Sequence, residues 1–268
     1  MKIFICVKQV PGISEVKINP KTNTLEREGI PSIMNPFDKH AIELGLTIKE
    51  RYGAEVIAIS MGPPQAAEVL REAMAMGVDE GYLLSDKSFA GADTLATSYT
   101  LSLAIKKLLK GTKDQKNFLV ILGAQASDGD TGQVGPELAE ELDVPQITYV
   151  KKFELKENKI IVERIFRTEE VVIIETKLPA LISVVKDIND PRSPKLSGIV
   201  NAYKKKEIIR LDSEELKPDK RKIGLNGSQT TVWKIFIPPK KEDQIVIKGS
   251  KEEIALELIR NLKNDKIL

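Results

Sequence analysis

The residues from Gly123 to Leu142, GAQASDGDTGQVGPELAEEL, are the part of this 268-residue chain best suited to hold a ligand. Four glycines, two aspartates, one serine and one threonine lie between an apolar run, Phe118 to Leu122, and a helical pattern that begins near Pro136. A strand that opens through such a loop into a helix brings unpaired backbone N–H groups and the positive helix end to one point. That arrangement favours an anion, most often a nucleotide phosphate. Glycines and short hydroxyl side chains let the backbone approach it closely. The loop is neither a Walker A box nor GxGxxG and has no lysine, and an ordinary surface loop has the same composition.

Other chemistries find little support. His40 is the only histidine and Cys6 the only cysteine. A Ser-His-Asp or Cys-His mechanism would have to run through that one ring, with no nucleophile motif beside it. A metal site would rest on carboxylates alone, and none has ligand-like spacing. No acid, base or covalent nucleophile is therefore expected. His40 reads as a residue that caps or packs within a helix, and Cys6, inside Ile3-Phe4-Ile5-Cys6-Val7, as a small buried hydrophobe. A single cysteine excludes an internal disulfide and fits a reducing cytosol, so the expected location is the cytoplasm. The net charge of +2 is too small to argue for nucleic acid. No stretch of ~18 apolar residues predicts a membrane span, and Lys8 and Gln9 interrupt the first apolar run too early for a secretory signal.

The elements that must position the loop follow from periodicity. Strand patterns occur at Lys2–Val7, Glu55–Ser60, Gly81–Leu84 and Phe118–Leu122, and helical patterns at Asp38–Tyr52, Pro64–Met76, Asp93–Leu109 and Pro136–Leu142. This alternation predicts an α/β fold with a doubly wound, mainly parallel sheet of Rossmann-like, adenine-nucleotide-binding type. Ligands of such sheets sit beyond the carboxyl ends of the strands, at the topological switch point. Val7–Pro11 and Met61-Gly62-Pro63-Pro64 fall at two further strand ends. From Thr148 the character changes: Lys151–Leu155 and Lys159–Arg164 read as a hairpin about Glu157-Asn158, and Val171–Glu175 and Leu181–Val185 as strands. Asp187–Ser197, with Pro191 and Pro194, reads as an exposed loop, and Lys204-Lys205-Lys206 as the solvated end of a helix or linker. The rest is weakly patterned, with Pro238-Pro239 and a last helix at Lys251–Leu262. The expected division is a nucleotide-binding α/β domain over 1–207, including the loop 187–197, and a C-terminal arm over 208–268.

In their order and spacing these segments resemble the beta subunit of electron transfer flavoproteins over nearly the whole chain. The matching segments are VKQVPG (Val7 to Gly12), Met34-Asn35-Pro36-Phe37-Asp38, Met61-Gly62-Pro63-Pro64, AMAMGVD (Ala73 to Asp79) and the loop Asp187–Ser197 followed by three lysines. The resemblance implies a heterodimer with an FAD-carrying alpha subunit, against which the C-terminal arm packs. It also implies a second adenine nucleotide in this chain. That nucleotide is AMP in the ordinary branch. In the electron-bifurcating branch it is FAD, which takes a hydride from NADH and sends electrons to ferredoxin or flavodoxin and, through the alpha-subunit flavin, to a partner dehydrogenase or quinone oxidoreductase. GADTLAT (Gly91 to Thr97) and the short loop Asp128-Gly129-Asp130-Thr131 through Gly135-Pro136 are similar to the FAD branch.

The resemblance implies that Cys6, Val7, Asn35, Pro36, Phe37, Asp38, Met61 and Gly62 line the nucleotide. It places Gly123, Gln125, Asp128, Gly129, Asp130, Thr131, Gly132, Gln133 and Val134 at the phosphates, with Asp128 or Asp130 meeting a ribose hydroxyl or backbone N–H groups. Asp93, Thr94 and Thr97 complete the set, although Asp93 and Thr94 also suit a plain helix cap. Ala124 stands where the family usually has Arg or Lys. Leu196 matches the family's docking leucine, while Ser193 and Pro194 replace the usual aromatic-alanine pair. An AMP-binding carrier without bifurcation, and a homodimeric sensor of the universal-stress type, are the alternatives.

Overall fold

A computed structural model describes residues 1–12, 17–19, 24–26, 32–166, 170–233 and 246–268. The chain divides into two compact units, one of residues 1–17 and 25–233 and the other of residues 18–24 and 234–268. The Pro238-Pro239 segment lies outside the described residues.

The first unit is built on a nine-stranded sheet of β1 (Lys2–Cys6), β2 (Glu55–Met61), β3 (Glu80–Leu84), β4 (Phe118–Gly123), β5 (Gln146–Lys156), β6 (Lys159–Ile165), β7 (Val171–Lys177), β8 (Ala180–Val184) and β9 (Ile208–Leu211). Its order is β7-β6-β5-β8-β4-β1-β2-β3-β9. The pairs from β5 through β9 are parallel, and only β5-β6 and β6-β7 are antiparallel. The fold is α/β and Rossmann-like, as the alternating pattern predicted.

The central strands read as unbroken apolar runs because helices cover both faces. Side chains alternate across β1: Ile3 and Ile5 join one core with Ala41 and Ile42 of α1 (Pro36–Tyr52) and Val69 and Leu70 of α2 (Ala67–Met76). Phe4 and Cys6 join the other with Leu101 and Ile105 of α3 (Thr94–Leu109) and Leu138 and Ala139 of α4 (Val134–Leu142). Phe4 is fully buried, edge-on to Phe118 at 6.1 Å. Burying such a ring contributes ~1.5–3 kcal/mol.

The chain winds from β1 outward to β2 and β3, then returns to β4 on the other side of β1. The topological switch point is therefore the gap between the carboxyl ends of β1 and β4, where Cys6 pairs with Leu122. A two-stranded antiparallel ribbon, Gln9–Pro11 with Ser32–Met34, folds back beside it and sets Asn35 next to Lys8. α1 then begins with Pro36 at its first position and ends at Gly53, whose φ of 66° is the left-handed cap that glycine accepts without strain.

The structure departs from the sequence reading at three places. β9 joins the edge of the main sheet, so the first unit continues past residue 207 to Trp233. At four residues, Ile208–Leu211, with Ile209 and Arg210 exposed, it is too short and too wet to show a strand pattern. α4 begins at Val134, two residues before Pro136. The stretch 187–197 is not all loop: a 3-10 turn covers Lys186–Ile188, and α5 (Leu196–Lys204) takes Leu196 and Ser197. In the second unit, the helix α6 (Lys251–Asn264) starts with a capping box between Ser250 and Glu253, which satisfies two otherwise unpaired donors. No helix among the described residues is long and apolar enough to cross a membrane.

Candidate functional site

The site is assembled at the switch point around two buried polar side chains, Asn35 and Asp38, exposed by only 2% and 4%. The Asp38 carboxylate accepts the backbone N–H of Lys8 at 2.7 Å, the Asn35 amide at 2.9 Å and the backbone N–H of Gly123. Asn35 reaches in the other direction: its amide donates to the carbonyl of Gln125 at 2.9 Å, and its side-chain oxygen accepts the N–H of Ser127 at 3.2 Å. This explains why Asn35, at the cap position of α1, makes no capping hydrogen bond to that helix. The pair ties the loop after β1, the start of α1 and the loop after β4 into one body.

Burial pushes the Asp38 carboxyl up to about 7, against the lowering effect of the Lys8 N–H, the Asn35 amide, the Gly123 N–H and the Lys8 charge. Burial raises the neighbouring Cys6 thiol as well, and the Asp38 charge adds to it, so Cys6 is inert as a nucleophile. Gly123 is required by close approach: a Cβ there would stand 2.5 Å from Asp38 Oδ1 and 2.6 Å from Phe37 Cβ.

From Gln125 to Gln133 the loop is held by its own side chains. Gln125 donates its amide to Asp130, and the N–H of Asp130 bonds to the carbonyl of Ala126 at 2.8 Å. Asp130 and Gly132 both have positive φ, 53° and 63°, which turns successive N–H groups toward one side. The N–H groups of Thr131, Gly132 and Gln133 bond to no other described residue, and they precede the free N-terminus of α4. Lys8 crosses the gap and places its Nζ 2.7 Å and 2.9 Å from the two oxygens of Asp128. Both loop carboxylates are thus engaged by side-chain donors. The donors left over are backbone N–H groups, and with the Asp128-bound Lys8 ammonium beside them they make the kind of set a phosphate requires.

The remaining predicted residues fall around this body. Met61 ends β2 beside β1, where Val7 N–H bonds to Ile59 O, Gly62 follows it, and the Gln9 amide joins that loop at Gln65 O, 3.1 Å away. Thr94 Oγ1 bonds to Glu137 of α4 at 3.1 Å, which brings the segment 91–97 to the helix that follows the loop after β4. Burial raises the Glu137 pKa, with the Thr94 and Ser98 hydroxyls opposing. The carboxylate of Asp93 is turned to its own chain: it caps α3 at Ala96 N and accepts the N–H groups of Gln229 and Thr230 and the Thr230 hydroxyl. Burial would raise its pKa, but those hydrogen bonds outweigh it and the net shift is downward. Thr97 sits in the first turn of α3 with its N–H on Asp93 O. Pro36 and Phe37 form the first turn of α1, with the Lys186 ammonium 5.0 Å from the Phe37 ring centre. Gly129 is exposed and Val134 opens α4. Leu196 stands apart from this body, 78% exposed at the start of α5. His40, inside α1, donates its Nδ1–H to Asn189, whose backbone and side-chain carbonyl oxygens lie 2.9 Å and 3.2 Å away.

Sequence reasoning missed Lys8. The loop after β4 has no cation, and Ala124, with its N–H on Val184 O, offers none. Lys8 supplies one from the loop after β1. The available signal was that Lys8 is the only basic residue in Val7–Pro11, Asn35–Asp38, Met61–Pro64, Gly91–Thr94 and Gly123–Gln133.

The sequence profile of the Electron transfer flavoprotein domain matches residues 22–216. The chain is 46% identical over 268 residues to an electron transfer flavoprotein subunit beta of Thermoanaerobacterium thermosaccharolyticum, covering all of both chains. It is also 46% identical over 270 residues to the caffeyl-CoA reductase-Etf complex subunit CarD of Acetobacterium woodii, again covering all of both. To the acryloyl-CoA reductase electron transfer subunit gamma of Anaerotignum propionicum it is 39% identical over 274 residues, with full coverage. A Rossmann-like sheet with a phosphate-type cradle at its switch point, in a chain matched end to end by these subunits, is an electron transfer flavoprotein beta subunit, and the chain belongs to that family.

Proposed function

We propose that this chain holds FAD at the switch point between β1 and β4 and, in a heterodimer with an FAD-carrying alpha subunit, bifurcates electrons from NADH. One path leads to ferredoxin or flavodoxin, the other through the alpha-subunit flavin to a dehydrogenase or quinone oxidoreductase. The observation that carries the reading is the short, self-braced loop Gly123–Gln133. Its two carboxylates are already engaged, and its N–H groups at Thr131, Gly132 and Gln133 remain free. That run of backbone, with Lys8 in front, suits a pyrophosphate better than a single phosphate. The names of relatives tied to caffeyl-CoA reductase and acryloyl-CoA reductase support a partner that acts on CoA esters.

When bound, the flavin would supply the hydride and one-electron chemistry, and the protein fixes its place and polarity. Asn35 and Asp38 act as braces behind the loops, since their polar atoms are spent on each other and on backbone groups. Met61, Gly62, Val7 and Phe37 would line the adenosine, and Gln125 and Asp128 to Val134 the phosphates. Leu196 would dock the partner enzyme, α6 would pack on the alpha subunit, and the complex would work in the cytoplasm.

The test is a flavin and nucleotide count on the heterodimer purified with its alpha subunit. Two FAD per heterodimer is the expected result. One FAD with one AMP overturns the bifurcating reading and leaves a carrier with a structural nucleotide.

A further inference from the structure

The segment between β8 and α5 is fastened to α1 at two points. Arg192 lies against two carboxylates of that helix. Its Nε and Nη2 donate to Glu43 Oε2 and Oε1 at 2.8 Å and 2.9 Å, and its own backbone N–H reaches Glu43 Oε2 at 3.0 Å. Nη1 and Nη2 also bond Glu50, at 2.5 Å and 3.1 Å. Three residues before Arg192, Asn189 donates its amide to His40 O at 3.0 Å, and its backbone carbonyl accepts from His40 Nδ1 at 2.9 Å. The Glu43 side chain is only 11% exposed, so this is a partly desolvated pair rather than a loose surface bridge. A guanidinium is needed, because its planar fork alone can meet both carboxylates in this geometry.

The next element is α5, which carries Leu196, Ile199 and Val200 exposed on one side at helical spacing. Its opposite side is seated on α2: Gly198 packs against the Ala75 backbone, Ala202 is buried and Arg71 donates to Ala202 O at 2.8 Å. Lys195, Lys204 and Lys205 surround the apolar patch and are exposed. An apolar patch in a basic frame fits an apolar cleft with an acidic rim.

We propose that Arg192 is the positioning residue of this docking surface: by clamping residues 189–195 to Glu43 and Glu50 it fixes where Leu196 stands before the partner arrives. The proposal rests on the reading of Leu196 as the docking residue for a CoA-ester reductase. A surface held in place before binding loses less conformational freedom on docking, so the clamp acts on affinity rather than on the electron-transfer step.

The test uses the heterodimer, amide hydrogen exchange, and steady-state electron delivery to a purified acryloyl-CoA reductase. Arg192→Ala should raise exchange in 187–196 about tenfold and leave 123–134 unchanged. It should raise KM for the reductase about tenfold with kcat within about twofold. Leu196→Ala should raise KM similarly, and the double variant should be no worse than Leu196→Ala alone, because both act through one contact. Glu50→Gln removes one arm of the clamp without leaving a buried charge, and should give a smaller change of the same kind even if Arg192→Ala folds poorly. If Leu196→Ala raises KM while Arg192→Ala and Glu50→Gln change neither exchange nor KM, the clamp is overturned and the docking leucine stands. Additive effects in the double variant also overturn it. If Leu196→Ala leaves KM unchanged, the docking reading itself fails and the clamp's role falls with it.

Discussion

Lys8 and Asp128 stand 120 residues apart in sequence and 2.7 Å apart in space, joining the loop after β1 to the loop after β4 across the switch point. The pair is half exposed, with side-chain exposures of 48% and 35%, so its own contribution to stability is at most ~1 kcal/mol. On the proposed reading its effect falls on the nucleotide. Lys8→Ala removes the one ammonium at the cradle and leaves Asp128 as an unpaired negative charge beside it. Nucleotide affinity should fall about tenfold or more, while the melting temperature of the nucleotide-free protein shifts by only a few degrees. Retained nucleotide, measured after gel filtration in the Lys8→Ala and Asp128→Ala variants, checks this. Asp128→Ala should be milder, since it frees Lys8 to meet the phosphate.

Asp38 makes stability depend on pH in an unusual direction for a carboxylate. Its folded pKa is raised from 3.8 to about 7, so between those values the folded protein binds a proton that the unfolded chain has released. The contribution is fully present below about pH 4 and is lost as pH rises through about 7. Asp38→Asn should flatten this part of the stability curve, even though the substitution weakens the brace by opposing the Asn35 amide. Thermal unfolding of both proteins from pH 4 to 8 reads the difference. Parallel curves would contradict it.

Gly123→Ala should damage both the fold and the site. The added carbon meets the Asp38 carboxylate and the Phe37 Cβ and backbone, at 2.5 Å, 2.6 Å and 2.9 Å. Neither neighbour can give way: Asp38 is held by its hydrogen bonds and Phe37 by the first turn of α1. A cost of ~1–3 kcal/mol is expected, with loss of bound nucleotide, measured by denaturant unfolding and by nucleotide release. Gly129→Ala is the control. Nothing lies within 4 Å of a Cβ there, and it should fold as the parent does.

α6 leaves Ile254, Leu258 and Ile259 exposed at helical spacing, and none of its residues is buried. Leu258→Asp should lower recovery of the alpha subunit in co-purification severalfold while leaving the melting transition of this chain in place. Unchanged recovery would rule this helix out as the contact with the alpha subunit.

The loops of the site were legible in sequence because their composition is local: glycines, aspartates and hydroxyls between an apolar run and a helix can be read without knowing the fold. The alternation of β1 to β4 with α1 to α4 was legible for the same reason. What joins them was not. Lys8 finds Asp128, and Arg192 finds Glu43 and Glu50, only after the strand order is set. Asp93 shows the opposite limit. A helix-cap residue and a ligand contact look alike in sequence, and only the positions of Gln229 and Thr230 show where its carboxylate points. β9 was hidden because an edge strand of four residues with two exposed side chains carries almost no apolar signal.

α1 braces the loops after β1 and β4 at Asp38 and the segment before α5 at Glu43 and Glu50. A helix advances ~100° and ~1.5 Å per residue, so these duties are geared to one another. Removing a single residue between Asp38 and Glu43 would swing both carboxylates ~100° away from Arg192 while Asp38 kept its place. Adding two whole turns would restore the phase but displace the carboxylates by ~10 Å. Side chains on this stretch are free to vary wherever they touch neither partner, but the number of residues is not.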